Sequence, residues 1–336
     1  MKGMINTIDE DRNVVAKFIN CSPEEVALCE STTTGINIFM WGYEFNPGDE
    51  IITGSLENPG ALVPLWVIEK RKNLKLTFAD LRNGEKDATE AIKKVLSPKT
   101  KMILISDVNF ATGHRVDLKA ISQMAHERGI VVLADGVQAM STSPIDVQEL
   151  EVDGYTLARH KFTCGPNGAG ALYVKKEILD QIQPTFSGLF SDSGHGMSGK
   201  LMVENNAKRF EISTRPFHAL VGGTAAMKWL TEEVGWDFIY DRISTLRTQM
   251  WDYLNNIKAV HLHSSRKNGG GLITFYIDGL EPEDIVAYLN ERKIFVRTII
   301  VTKPQAVRMA IGFWNRESDL EKISQTIKEL VDKGKA

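Results

Sequence analysis

Residues 117–140 read DLKAISQMAHERGIVVLADGVQAM, and the character of the chain changes at Gly129. Before it, Leu118, Ile121 and Ala125 recur at helical spacing, and the glycine stands where a helix C-cap is expected. After it, Ile130 to Ala134 form an unbroken apolar run that ends in Asp135. A run of that kind reads as a strand buried on both faces. A helix feeding such a strand implies a crossover connection, and therefore a parallel sheet.

The same alternation extends outward in both directions. VALC (26–29), EIIT (50–53), LKLTFA (74–79), KMILIS (101–106) and GYTLA (154–158) read as further strands. PGALVPLWVIEKRK and ATEAIKKVL supply helical periods between them. The fold class is therefore α/β, a mostly parallel mixed sheet flanked by helices. Beyond residue 175 the pattern breaks. Residues 183–213 are rich in Gly and Ser without a period, which predicts a long functional loop, a candidate lid in which His195 reads as solvated. Helical patterns over 217–234 and 236–257 follow, then short strands and a closing helix from about 316. These predict a large domain over 23–234 and a smaller α+β domain made of 235–336 together with 1–22.

Composition narrows the function. The chain has 336 residues, 43% hydrophobic and 25% charged, with a net charge of −3. No basic run would track a phosphate backbone, so no nucleic-acid partner is expected. No apolar stretch reaches the roughly 18 residues of a membrane span, and the N-terminus lacks the apolar centre of a secretory signal. Three cysteines with no CxxC suit a reducing cytoplasm and give no metal site.

In open α/β sheets ligands bind at the carboxyl ends of the strands. Ser31 to Thr34 put four hydroxyls and a helix start after the first strand, either an anion cradle or an ordinary N-cap run. Asp135, with Gln138 three residues later, leaves a wholly apolar strand. An acid there is costly unless it faces a cation or a donor. ARHKFTCGPNGAG follows the strand at 154–158, and Lys161 within it is either a surface charge or an amine held from water. An amine so held loses its proton readily and can form a Schiff base. An anion cradle, a carboxylate and a lysine at neighbouring strand ends are the parts that pyridoxal phosphate requires.

DGVQAM together with VDGYTLARHKFTCGPNGAGALYV resembles the signature of the class V aminotransferases, fold-type I enzymes dependent on pyridoxal phosphate. The similarity runs on through AKRFEISTRPFHAL and QAVRMAIGFWNRESDLEKI. It implies that Lys161 is the Schiff-base lysine, that Asp135 pairs with the pyridine nitrogen and that Gln138 approaches the ring hydroxyl. It places Thr32, Thr33 and His160 at the phosphate. Thr214 would reach a phosphate across a homodimer interface. Arg308 would grip the substrate α-carboxylate through its fork. Arg297 is either a second substrate contact or a solvated strand charge.

The chain departs from the pattern at several points. Asn58 stands where the family stacks a ring on the cofactor, Ala158 replaces a phosphate-binding serine, and Phe110 falls on a usual asparagine. The family's N-terminal segment, which helps close the site, would fall before Met1. Desulfurases of the family carry a nucleophilic cysteine shortly before the carboxylate-binding arginine. The interval VRTIIVTKPQAVR has none, and Cys164 reads as packing. The expectation is an aminotransferase acting at the α-carbon of an amino acid through a Lys161 Schiff base, with an amino acid and a keto acid as its small-molecule substrates. The alternatives are a C–S lyase or desulfurase-like member, an epimerase-like member, or a cofactor-poor relative without activity.

Overall fold

The computed structural model describes residues 2–82, 88–213 and 215–333. Thr214 lies outside the described residues. In chain order the helices are α1 (Lys2–Ile19), α2 (Thr32–Gly42), α3 (Pro59–Lys72), α4 (Ala88–Lys93), α5 (Leu118–His126), α6 (Val147–Leu150), α7 (Phe217–Trp229), α8 (Trp236–Asn255), α9 (Pro282–Glu291) and α10 (Glu317–Lys333). Seven strands make the large sheet: β1 (Val26–Cys29), β2 (Glu50–Gly54), β3 (Lys75–Ala79), β4 (Thr100–Ser106), β5 (Val131–Asp135), β6 (Gly154–Ala158) and β7 (Gly170–Val174). Their order is β1-β7-β6-β5-β4-β2-β3. Only β7 runs against its neighbours, so the carboxyl ends of β1, β2, β4, β5 and β6 share one edge.

Alternate residues of the central strands feed two apolar layers. Ile103 and Ile105 of β4 join Val132, Ala134 and Leu157 beneath α5 and α7. Met102 and Leu104 join Val131, Leu133 and Leu172 beneath α2 and α3. All of these side chains are buried. At roughly 1.5–3 kcal/mol for each large aliphatic side chain removed from water, the two layers dominate the stability of this lobe.

Residues 1–22 were expected to join the smaller domain, and the packing differs. Val15, Ala16 and Ile19 of α1 sit in the layer beneath the large sheet, and α1 packs along α7. The amphipathic face of α1 records that it needs an apolar partner, and its sequence does not say which one. The segment 183–213 carries a short hairpin, β8 (Asp192–His195) with β9 (Leu201–Val203). His195 is exposed there and pairs with Asp192.

The second sheet has the order β10-β11-β13-β12, from β10 (Val260–Leu262), β11 (Leu272–Ile277), β12 (Arg297–Ile299) and β13 (Ala306–Ala310), all antiparallel. Helices α8, α9 and α10 cover it through Leu246, Met250, Ile285, Leu289 and Ile327. Its other face turns toward the loop after β4, where Thr274 Oγ1 donates to Ala111 O at 2.5 Å.

Candidate active site

The shared carboxyl edge carries Thr32 and Thr33 after β1, Asn58 after β2, Asp135 and Gln138 at the end of β5, and His160 and Lys161 after β6. Ser31 caps α2 by accepting the Thr34 N–H at 3.1 Å. The N–H groups of Thr32 and Thr33 in the first turn have no intrahelical acceptor and suit an anion. The next strand end does the same for α3, where Asn58 Oδ1 accepts the Gly60 N–H at 2.8 Å. The two helix starts meet: a Cβ on Gly60 would lie 2.8 Å from Thr33 Oγ1 and 3.1 Å from Asn58 Oδ1. Asn58 therefore spends its side-chain oxygen on its own helix. Ala158 is buried at the end of β6 and offers no hydroxyl.

Asp135 is buried at the end of β5, with Oδ1 accepting the Val137 N–H at 3.0 Å. Burial pushes its carboxyl up, and Asp107 pushes the same way, while the Val137 N–H and the Lys161 charge pull it down. Gln138 is buried on the turn just beyond. Lys161 is half-buried and, among the described residues, has no ion pair. Its amine is pushed down to about 8, chiefly by burial and then by the charges of Arg308 and Arg297, with Asp135 opposing. Asp135 and Lys161 belong to neighbouring strand ends, since β5 pairs with β6. His160 is exposed, and its imidazole is pushed below its ordinary value by partial burial and by Lys161.

The two arginines arrive from the small sheet. Arg297 on β12 stands directly opposite Arg308 on β13. Arg308 Nη1 donates to Phe110 O, its guanidinium lies 5.8 Å from the Phe110 ring, and its buried Nε has no partner. Burial and Arg297 push the Arg308 guanidinium down to about 10, so it stays charged at neutral pH. Neither arginine has an acidic partner among the described residues. Two like charges face to face with an unsatisfied buried N–H make a ready carboxylate seat. Phe110, Leu56 and Ile299 form an apolar cluster next to it.

Three neighbours were not singled out from the sequence. Glu57 is fully buried and accepts from the Ser106 N–H at 3.1 Å and from the Ser106 hydroxyl. Burial above all, with a smaller push from Asp135, raises its carboxyl to about 7. Asp107 accepts from Tyr155 Oη at 2.8 Å and Arg115 Nε at 3.0 Å. Asp107 comes just after β4, next to Ser106 that pairs with Asp135 at the end of β5, and that strand-end position was the available signal. Arg159, two residues before Lys161, is the largest fully buried side chain among the described residues.

A mostly apolar cavity of about 490 Å³ is lined by Ile38, Trp41, Phe186, Phe210 and Arg215 and reaches Thr34 in the first turn of α2. Lys161, Asp135, Arg297 and Arg308 do not line it.

The family pattern for aminotransferase class-V proteins matches residues 1–323. The chain belongs to that family. Its members use pyridoxal phosphate on a fold-type I scaffold, and the residues here fit the group. A buried Asp135 pushed toward protonation wants a cationic donor, the glycine at Gly60 lets the α3 start come close to Thr33, and Lys161 is an amine of lowered basicity. A probable cysteine desulfurase from Synechocystis sp. is 29% identical, with 95% of this chain and 79% of the relative covered. One from Halalkalibacterium halodurans is 30% identical over 85% of this chain and 70% of its own. Among solved structures, the cystine C–S lyase C-DES with its product cysteine persulfide superposes with a TM-score of 0.91 at 27% identity, covering 98% of this chain and 87% of that one. A C-DES variant with glycine covalently linked to its pyridoxal phosphate gives the same TM-score at 26% identity, over 98% and 86%.

Proposed function

We propose that this class V enzyme is a pyridoxal-phosphate-dependent C–S lyase that cleaves the Cβ–sulfur bond of a sulfur-bearing amino acid such as cystine. This puts a reading held as an alternative from the sequence ahead of amino-group transfer. The observation that carries it is the state of the thiols in a chain so similar to a cystine C–S lyase. Desulfuration through a protein persulfide needs a thiolate, and burial pushes Cys29 up to about 12 and raises Cys21 and Cys164 as well. No cysteine stands between Arg297 and Arg308.

The bound cofactor would supply an electron sink that makes the substrate α-proton acidic. Lys161 would hold the cofactor and its Nζ would take that proton, its lowered basicity keeping a neutral fraction near pH 8. Arg308 holds the α-carboxylate through the N–H that now lacks a partner, with Arg297 beside it. Asp135 would hold the ring N–H, Gln138 would approach the ring hydroxyl, and Thr32, Thr33 and His160 would serve the phosphate. The sulfur leaves with its bonding pair and gains a proton. One cystine and one water then give pyruvate, ammonia and cysteine persulfide. We carry a cytoplasmic homodimer with this reading, supported by three free thiols and by exposed Phe186, Leu189 and Met197 along the 183–213 segment. Thr214 would act across that interface.

The holoenzyme should release pyruvate from cystine, and Lys161→Ala should lose both that activity and the visible absorption of the lysine-bound cofactor. Alanine formed from cysteine would mean desulfuration instead. Conversion of the cofactor to pyridoxamine with a new amino acid would restore the aminotransferase reading. A protein that stays colourless with added cofactor would be the non-catalytic relative.

A further inference from the structure

The residue two places before Lys161 reaches away from the site. Arg159 is fully buried and forms a two-pronged ion pair with Asp11 of α1, also fully buried, its Nη2 lying 2.9 Å from Oδ2. Thr224 of α7 donates to Asp11 Oδ1 at 2.6 Å. The guanidinium lies flat on Gly223, where an added Cβ would come 2.8 Å from Arg159 Cζ. The main chain of the same residue closes the lysine turn. Arg159 N donates to Ala169 O at 2.9 Å, and Gly165 N donates to Arg159 O at 2.7 Å. Cys164, in the left-handed region at φ 59°, donates its N–H to Lys161 O at 3.0 Å. Thr163 meets Ser141 from another side through a 3.0 Å hydroxyl pair.

Stability alone gives no account of this ion pair. A buried pair commonly adds nothing over apolar residues of the same volume, because desolvation cancels the attraction. What distinguishes this one is its position, with one partner in the turn that presents Lys161 and the other in the N-terminal helix. An amine displaced by a fraction of an ångström loses both its aim and its shelter from water.

We propose that Asp11 and Arg159 are positioning residues for Lys161, a strut by which α1 and α7 set the turn that carries the amine. The inference rests on Lys161 being the cofactor-binding lysine. It also makes α1 part of the apparatus of the site through Asp11.

The test uses cofactor capture followed by visible absorption at a series of pH values, together with steady-state kinetics of the holoenzyme. Asp11→Asn strands the Arg159 charge and is expected to fold poorly. The double variant Asp11→Leu/Arg159→Met removes both charges, and Thr224→Val removes one hydrogen bond to Asp11 and keeps its shape. In the double variant the midpoint pH of capture should rise by about one unit as water reaches the amine. Its kcat should fall roughly tenfold, with KM within about twofold because Arg308 and Arg297 are untouched. Thr224→Val should move in the same direction by less, and Arg159→Lys alone should fall between wild type and the double variant. Wild-type midpoints and kcat in both the double variant and Thr224→Val overturn the strut. So does a double variant that fails to fold while Thr224→Val keeps the wild-type midpoint, since the pair then serves folding only. If Lys161→Ala keeps the absorption band, the assignment of Lys161 falls and the strut with it. A band lost in Lys161→Ala but unmoved in the other variants sinks the strut alone.

Discussion

Lys161 is a surface-type residue given an interior environment, and its chemistry follows from that. An exposed lysine amine is almost wholly protonated at neutral pH and a poor nucleophile. Here its value falls to about 8, chiefly through burial, with the two arginine charges pushing the same way and Asp135 pulling back. Only the neutral amine attacks the cofactor aldehyde, so capture by the apoprotein should speed up with rising pH and level off above about 8. Replacing Arg308 by Met removes one of the depressing charges, so the midpoint should move upward, toward the ordinary lysine value. Stopped-flow absorbance of apoprotein mixed with pyridoxal phosphate measures both midpoints. A rate flat between pH 6 and 9 would mean that the amine is not the titrating group. Asp135 shows the converse logic: burial leaves its carboxyl ready to hold a proton, and a cationic ring nitrogen is the partner that keeps it charged.

At the scale of elements, the small sheet delivers two positive charges across one rung of the β12–β13 ladder. Like charges directly opposite each other cost stability, of order 0.2–1 kcal/mol, unless an anion joins them. Arg297→Met should therefore raise the unliganded melting temperature slightly. It should also weaken the protection given by a non-reactive amino acid such as alanine, with KM rising about tenfold. Melting curves with and without alanine test this; a lower unliganded melting temperature would show that Arg297 already has a partner. The pairing was not legible in the sequence. Arg297 and Arg308 could each be seen on a strand, but their register depends on the turn between them, which apolar alternation does not encode. The strands at 26–29, 50–53, 101–106, 130–135 and 154–158 were legible because strands buried on both faces read as plain apolar runs. Glu57 was hidden because its burial is set by Ser106, 49 residues away. Asp11 was hidden for the same reason, its partner lying 148 residues on.

For the molecule as a whole, the site exists because two lobes meet over one loop. The segment after β4 is pinned to the small sheet through main-chain and hydroxyl groups. Gly270 N donates to Gly113 O at 2.9 Å, Arg115 N to Asn268 O at 2.9 Å, and Ser264 Oγ to Thr112 O at 2.5 Å. Arg308 reaches the same loop at Phe110 O. Lys161 and Asp135 leave other strands, so the loop sets the distance between the carboxylate seat and the amine without carrying either. Gly113 is its tightest point, with φ 73° and a would-be Cβ 2.5 Å from Leu272 O. An alanine there meets both an unfavourable backbone region, costing about 1–2 kcal/mol, and a main-chain oxygen that cannot move without its strand. Gly113→Ala should lower the melting temperature and raise KM at least tenfold as Arg308 shifts. The pH midpoint of cofactor capture should move little, because burial, the largest influence on Lys161, is not set by this loop. That split separates a displaced lobe from general loss of the fold, which would degrade capture and KM together. An unchanged KM in a folded, destabilised Gly113→Ala protein would show that the arginines are held in place by the small lobe alone.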